Sequence, residues 1–110
     1  MKAEKLGTNE QLEQAIEANP TCILFKHSLT CPISQSAFEE FQAYREEYAE
    51  VPAFYLYVQD ARDVSNRIAE RFGVRHESPQ VLYIQDGKAV WHDSHWKITQ
   101  QSLQEHISIT

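Results

Sequence analysis

Two cysteines, three glycines and four prolines are all that this chain of 110 residues contains. No Pro/Gly/Ser-rich or repetitive stretch marks a linker, a solenoid or a disordered tail. No apolar run approaches the roughly 20 residues needed to cross a bilayer. The opening MKAEKLGTNEQ also lacks the apolar centre of a secretory signal. The expectation is a cytoplasmic protein with no membrane attachment. Positive charge is scarce too: ten Lys and Arg stand against sixteen Asp and Glu, for a net charge of -6. That balance repels phosphate backbones, and the basic residues are scattered among acids, so nucleic acid is excluded as a partner. In a reducing compartment two cysteines have no need to form a structural bridge. What remains, 42% hydrophobic and 24% charged residues, is ordinary globular composition. The length suits one domain covering 1–110.

Apolar periodicity divides the chain into alternating elements. Thr8 or Asn9 can cap a first helix that runs to about Ala18, with Leu12, Ala15 and Ile16 on one face and Asn19-Pro20 ending it. Cys22-Ile23-Leu24-Phe25 is a nearly continuous apolar run, as in a strand covered on both faces. After the loop His27-Ser28-Leu29-Thr30, Pro32 opens a helix with Ala37, Phe38, Phe41, Tyr44, Tyr48 and Ala49 at helical spacing. Pro52 closes it, and Ala53-Phe54-Tyr55-Leu56-Tyr57-Val58 forms a second buried strand. Val64, Ile68, Ala69 and Phe72 make a third helix that Gly73 stops. Val81–Ile84 and Ala89–Trp91, joined by Asp86-Gly87, read as an antiparallel hairpin. A short helix after Thr99 presents Leu103 and Ile107. The order α-β-α-β-α-β-β-α, with parallel crossovers and one hairpin, predicts an α/β fold: a four-stranded mixed sheet flanked by helices on both faces, of thioredoxin-like architecture.

Chemistry concentrates at Thr30-Cys31-Pro32-Ile33-Ser34, where an apolar strand turns into a helix. A thiol at that turn faces unpaired backbone N–H groups and the positive end of the helix dipole, which favour thiolate, the nucleophilic form. His27 and Lys26 are nearby sources of positive charge, although Lys26 can equally point away along the strand. Cys31-x-x-Ser34 has the spacing of a dithiol whose second thiol is replaced by a hydroxyl. A hydroxyl cannot attack a mixed disulfide at Cys31, so an outside thiol must resolve it. Ser34 is left able to donate a hydrogen bond to the thiolate. Cys22 is no substitute. The strand from Cys22 to His27 already separates the two by about 16 Å at roughly 3.3 Å per residue, whereas a bridge needs Cα atoms within about 7 Å.

Ser78-Pro79 precedes the third strand, where the thioredoxin fold keeps a cis-proline beside its cysteine. A cis bond there leaves the Ser78 backbone free to pair with a substrate. The hairpin places His92-Asp93-Ser94-His95-Trp96-Lys97 on the rim of the same edge, and the end of the second strand brings Gln59-Asp60-Ala61-Arg62 there. Arg62, Arg75, His76, His95 and Lys97 are candidate anchors for an anionic small thiol. The His and Cys spacings fit no common zinc pattern, and no resident metal or cofactor is expected. A ligand-bridged cluster in a dimer stays open.

Phe25-Lys26-His27-Ser28 leading to Thr30-Cys31-Pro32-Ile33-Ser34, followed by Gly73-Val74-Arg75-His76-Glu77-Ser78-Pro79-Gln80, resembles the YtxJ-like monothiol bacilliredoxins over essentially the full length, including Gln59 to Asn66. The resemblance implies a low-GC Gram-positive bacterium that uses bacillithiol, a glucosamine-malate thiol, as its principal small thiol. It implies an enzyme that removes bacillithiol from client proteins, with Cys31, Pro32 and Ser34 as catalytic residues. Thr30, His27, Ser78, Pro79, Arg62, Arg75 and Lys97 would contact substrate. Bacillithiol is then a co-substrate, and the partners are bacillithiolated clients, a second bacillithiol and a reductase acting on the loaded enzyme. Two other readings compete: an enzyme on the same fold that uses another small thiol or acts as a transferase, and a noncatalytic module that binds peptides along the Ser78 edge.

Overall fold

The computed structural model of the chain describes residues 3–107. The expectation that the whole chain folds extends to residues 1–2 and 108–110, which lie outside the described residues. The elements are β1 (Glu4–Lys5), α1 (Asn9–Ala18), β2 (Cys22–His27), α2 (Pro32–Glu47), β3 (Ala53–Tyr57), α3 (Arg62–Phe72), β4 (Gln80–Gln85), β5 (Lys88–Ser94) and α4 (Gln100–His106). A 3-10 turn at His95–Lys97 precedes α4. The strands form one sheet in the order β1-β3-β2-β4-β5. β3 lies parallel to β2 and to β1, β4 runs antiparallel to β2, and β5 runs antiparallel to β4.

The sheet has five strands where four are expected. β1 pairs Glu4 with Phe54 and Lys5 with Tyr55. It is two exposed polar residues long, and it is made by backbone pairing that leaves no mark on side-chain periodicity. A second difference concerns the rim. β5 continues to Ser94, pairing His92 with Leu82 and Ser94 with Gln80, so His92, Asp93 and Ser94 are strand residues and the rim begins at His95.

Local signals explain most boundaries. Thr8 caps α1 in a reciprocal box with Gln11. Gly73 ends α3 at φ 64°, a conformation that costs glycine little. Asp86 and Gly87, both at positive φ, make the tight turn of the β4–β5 hairpin. β2 is buried along its entire length, and its alternation divides the core. Leu24 faces Leu12, Ile16, Val64 and Ile68 from α1 and α3. Ile23 and Phe25 face Phe41, Tyr44 and Leu103 from α2 and α4. Phe25 stacks on Phe41 with ring centroids 4.9 Å apart. Each fully buried ring contributes about 1.5–3 kcal/mol of transfer free energy, and the pair anchors α2 on the strand that leads to Cys31.

Candidate active site

Cys31 is the N-cap of α2, with extended backbone (φ -107°, ψ 118°) and Pro32 opening the helix. Proline has no N–H to leave unpaired, and its fixed φ suits a first helical residue, so the helix starts directly after the thiol. The Cys31 carbonyl accepts the Ser34 N–H at 3.0 Å, and its side chain makes no capping bond. The residue is half-buried. The positive end of the α2 helix dipole therefore lies beside the Cys31 sulfur.

The Ser34 hydroxyl is occupied elsewhere. Ser34 is fully buried; its Oγ accepts the Ser28 N–H at 2.8 Å and lies 2.6 Å from His27 Nδ1. The expected bond from this hydroxyl to the thiolate is not formed. His27 also departs from expectation as a source of positive charge. It is buried and stacks on Phe38 with centroids 4.6 Å apart, and burial holds its pKa below the ordinary value. The neutral ring and the Ser34 hydroxyl share one hydrogen bond at Nδ1, its direction set by the ring tautomer. The pair fixes the start of α2 against the end of β2.

Gln59, just beyond β3, holds the loop between β2 and Cys31. Its Oε1 accepts the Leu29 N–H at 3.0 Å, and its Nε2 donates to Ser28 Oγ at 2.9 Å and to Thr30 Oγ1 at 3.3 Å. The neighbouring Val58 N–H donates to the His27 carbonyl at 2.9 Å. The sequence places Gln59 at this edge in a ligand-facing loop; its tie to the cysteine loop was signalled only by a long polar side chain directly after a buried strand. Thr30 is exposed at the lip of the loop.

The Ser78-Pro79 bond is cis. Because Lys26 pairs with Gln80, Ser78 and Pro79 run past the end of β2 beside the segment that leads to Cys31. This loop is tied down on its other side: His95 N–H donates to the Pro79 carbonyl at 3.1 Å, and Ser94 Oγ donates to Glu77 Oε2 at 2.7 Å. A half-buried cysteine at a helix start, a hydroxyl three residues on and a cis-proline across the sheet are thus assembled at one edge.

Comparison with known proteins agrees with this geometry. Residues 4–103 match the family model of the monothiol bacilliredoxin BrxC. The chain belongs to the monothiol bacilliredoxin family. It is similar to a solved thioredoxin-fold structure described as a candidate oxidoreductase, at 42% identity and a TM-score of 0.87, over 94% of this chain and 91% of the other. Fasciola hepatica thioredoxin (21% identity, TM-score 0.75, 93% of each chain) and mitochondrial thioredoxin 3 of Saccharomyces cerevisiae (13%, 0.77, 96% and 92%) share the fold. The bacilliredoxin is a monothiol disulfide oxidoreductase.

The other residues singled out in the bacilliredoxin sequence divide between the two faces of the sheet. Lys26 points to the α3 face, fully buried, with Nζ donating to the Ser65 carbonyl at 3.1 Å. Burial lowers its pKa to about 8. Arg62, Arg75 and Lys97 are exposed, Arg62 on the first turn of α3 and Lys97 on the 3-10 turn. Cys22 is buried at the far end of β2 and free, and burial pushes its thiol up to about 12, so it stays protonated and inert. Among the described residues no group of three or more His, Cys, Asp and Glu side chains is arranged to hold a metal ion. No helix among them is long and apolar enough to cross a membrane.

Proposed function

We propose that the enzyme removes bacillithiol from protein mixed disulfides in the cytoplasm, through Cys31. The observation that carries this reading is the helix-capping thiol followed at the third position by a buried hydroxyl already engaged with His27 and Ser28. In the first step the Cys31 thiolate attacks the bacillithiol sulfur. The client–bacillithiol S–S bond breaks, a Cys31–bacillithiol S–S bond forms, and the client leaves as a thiolate that takes a proton from solvent. Ser34 cannot displace bacillithiol. A second bacillithiol thiolate therefore attacks the mixed disulfide, releasing bacillithiol disulfide and the Cys31 thiolate; a reductase acting on the loaded enzyme is the alternative. Pro32 starts the helix at the thiol, Ser34 and His27 hold that start in place, and the Thr30 lip and the Ser78-Pro79 edge receive the substrate.

The test is to incubate a bacillithiol-modified client with the wild type, Cys31→Ala and Cys22→Ala, and to follow client thiol release and the mass added to the enzyme. The expected outcome is release by the wild type and Cys22→Ala but not by Cys31→Ala, with one bacillithiol added at Cys31. A client that stays modified in the presence of the wild type sinks the reading and leaves another small thiol or peptide binding as the use of this edge.

A further inference from the structure

Beneath the Ser78-Pro79 loop, on the face of the sheet opposite His27 and Ser34, lies a second polar cluster. Lys26 Nζ lies 3.1 Å from His76 Nδ1, and Ser65 Oγ is also 3.1 Å from that nitrogen. An ammonium donates and cannot accept, so Nδ1 is the acceptor and the ring proton resides on Nε2. The Lys26 side chain is fully buried, whereas His76 is exposed. The surface thus carries an imidazole whose one free N–H donor is fixed in tautomer by a cation behind it. Arg62 is exposed one turn before Ser65 on α3, so the two share a face of the helix. Burial, then Lys26, then Arg62 hold the His76 pKa below its ordinary value, with Glu77 opposing them. Gln80 Nε2 donates to the Arg75 carbonyl at 2.9 Å, which fixes the loop carrying His76. Among the described residues, the ion pairs that form join Glu13 to Arg67 and Arg71 and leave Lys26 without a carboxylate partner.

We propose that the His76 Nε2–H and the Arg62 guanidinium, backed by Lys26, form a carboxylate-binding subsite that takes the malate end of bacillithiol. This rests on bacillithiol being the co-substrate. An Arg fork and a second N–H donor are the groups that bind a carboxylate through charge-assisted hydrogen bonds. Lys26 is a positioning residue: it acts through His76, by fixing the tautomer and adding a positive potential behind the ring. The subsite shares the edge of the sheet with Ser78-Pro79 and Cys31, so a small thiol reaching Cys31 with its sulfur can lay its acidic end here. Of the basic groups on the rim, Arg62 is thereby separated from Lys97, which lies on the other side of the cis-proline loop.

The experiment is an NMR titration of the reduced full chain with glucosaminyl malate, the thiol-free part of bacillithiol, following the His76 ring nitrogens. The expected result is a neutral Nε2–H tautomer in the free protein, a saturable shift on titration and a His76 pKa that rises with occupancy. Affinity should fall at least about tenfold in Arg62→Gln and in Lys26→Met, the latter also losing the tautomer preference. Arg67→Gln, with the same change in charge on the same helix, should bind as the wild type does. No His76 shift, an equal shift with glucosamine lacking malate, or equal weakening by Arg67→Gln overturns the subsite. No thiol exchange enters this titration. A bacilliredoxin that releases client thiol while His76 stays silent loses the subsite alone, and one that binds glucosaminyl malate without releasing client thiol loses the reaction alone.

Discussion

Lys26 and His27 are neighbours on one strand, both buried and both polar, and the sheet treats them in opposite ways. His27 goes to the α2 face, where burial keeps it neutral and the Ser34 hydroxyl satisfies it. Lys26 goes to the α3 face and retains a charge in a place where burial disfavours one. Strand alternation makes the separation unavoidable. On the α2 face a buried polar pair sets geometry, holding β2, the loop and the first turn of α2 in one arrangement. On the α3 face the buried polar group supplies potential, and the fold bears a cost for it. The difference shows which side of the nucleophile is built for rigidity and which for meeting an anion.

Removing the Ser34 hydroxyl breaks the comparison most severely. Ser34→Ala leaves the Ser28 N–H and His27 Nδ1 buried without the partner they share. An unsatisfied buried group costs about 1–3 kcal/mol, so with two such groups the variant should lose about 2–6 kcal/mol in urea unfolding. Client release should slow as well, because the helix start that carries Cys31 loosens. Ser34→Thr, which keeps the hydroxyl, should recover part of both losses. A Ser34→Ala protein as stable as the wild type would show that the pair does not organise the site.

Lys26→Met tests the other face, and its sign is opposite. The folded-state pKa of Lys26 lies near 8, below the ordinary 10.5. The unfolded chain therefore binds more protons between these values, and stability from this group rises with pH across that window. Below pH 8 the full penalty is present, about 3 kcal/mol from the size of the shift. The two hydrogen bonds of Nζ offset about 1 kcal/mol each. Lys26→Met should accordingly be about 1 kcal/mol more stable than the wild type at pH 7, with the gap closing and then reversing as pH rises toward 10.5. Cys22 and Tyr44, both pushed up to about 12 by burial, lower stability in alkali in both proteins, so the difference between the two unfolding curves isolates Lys26. A variant less stable at pH 7 would place the ammonium among structural contacts and weaken the contrast between the faces.

What could be read beforehand follows the range of the interactions. The start of α2 at Cys31-Pro32, the stop at Gly73 and the turn at Asp86-Gly87 depend on residues adjacent in the chain, and each is where the periodicity put it. β1 escaped because two exposed residues carry no pattern. The cis state of Ser78-Pro79 is decided by the surrounding fold and not by the dipeptide. The candidate site was legible as a position, a thiol at a helix start, and not as a wiring diagram. The Ser34 hydroxyl has a bond to the thiolate and a bond to His27 both within the reach its spacing allows, and burial of the ring decides between them. His76 and Lys26 are 50 residues apart, so their contact exists only after β4 has paired with β2.

Gln59 gives the smallest effect and the sharpest test of the rigid side. Its amide ties Ser28, Leu29 and Thr30 to the end of β3, but Leu29 and Thr30 are exposed, so water replaces much of what is lost when the amide is removed. Gln59→Met, similar in length and without donor or acceptor, should cost about 1 kcal/mol of global stability, the net value of an ordinary hydrogen bond. The local effect should be larger than the global one. The Leu29 amide loses its acceptor and should exchange with solvent at least about tenfold faster by NMR, while the amides of Ile23 and Leu24 in the middle of β2 should exchange at rates set by global unfolding. Client release should slow only modestly, because Ser34 still holds the Ser28 N–H from the other side. A Leu29 amide that exchanges no faster in Gln59→Met would mean that the Gln59 amide does not hold the loop, placing its rigidity on the His27–Ser34 pair and the Val58–His27 backbone bond.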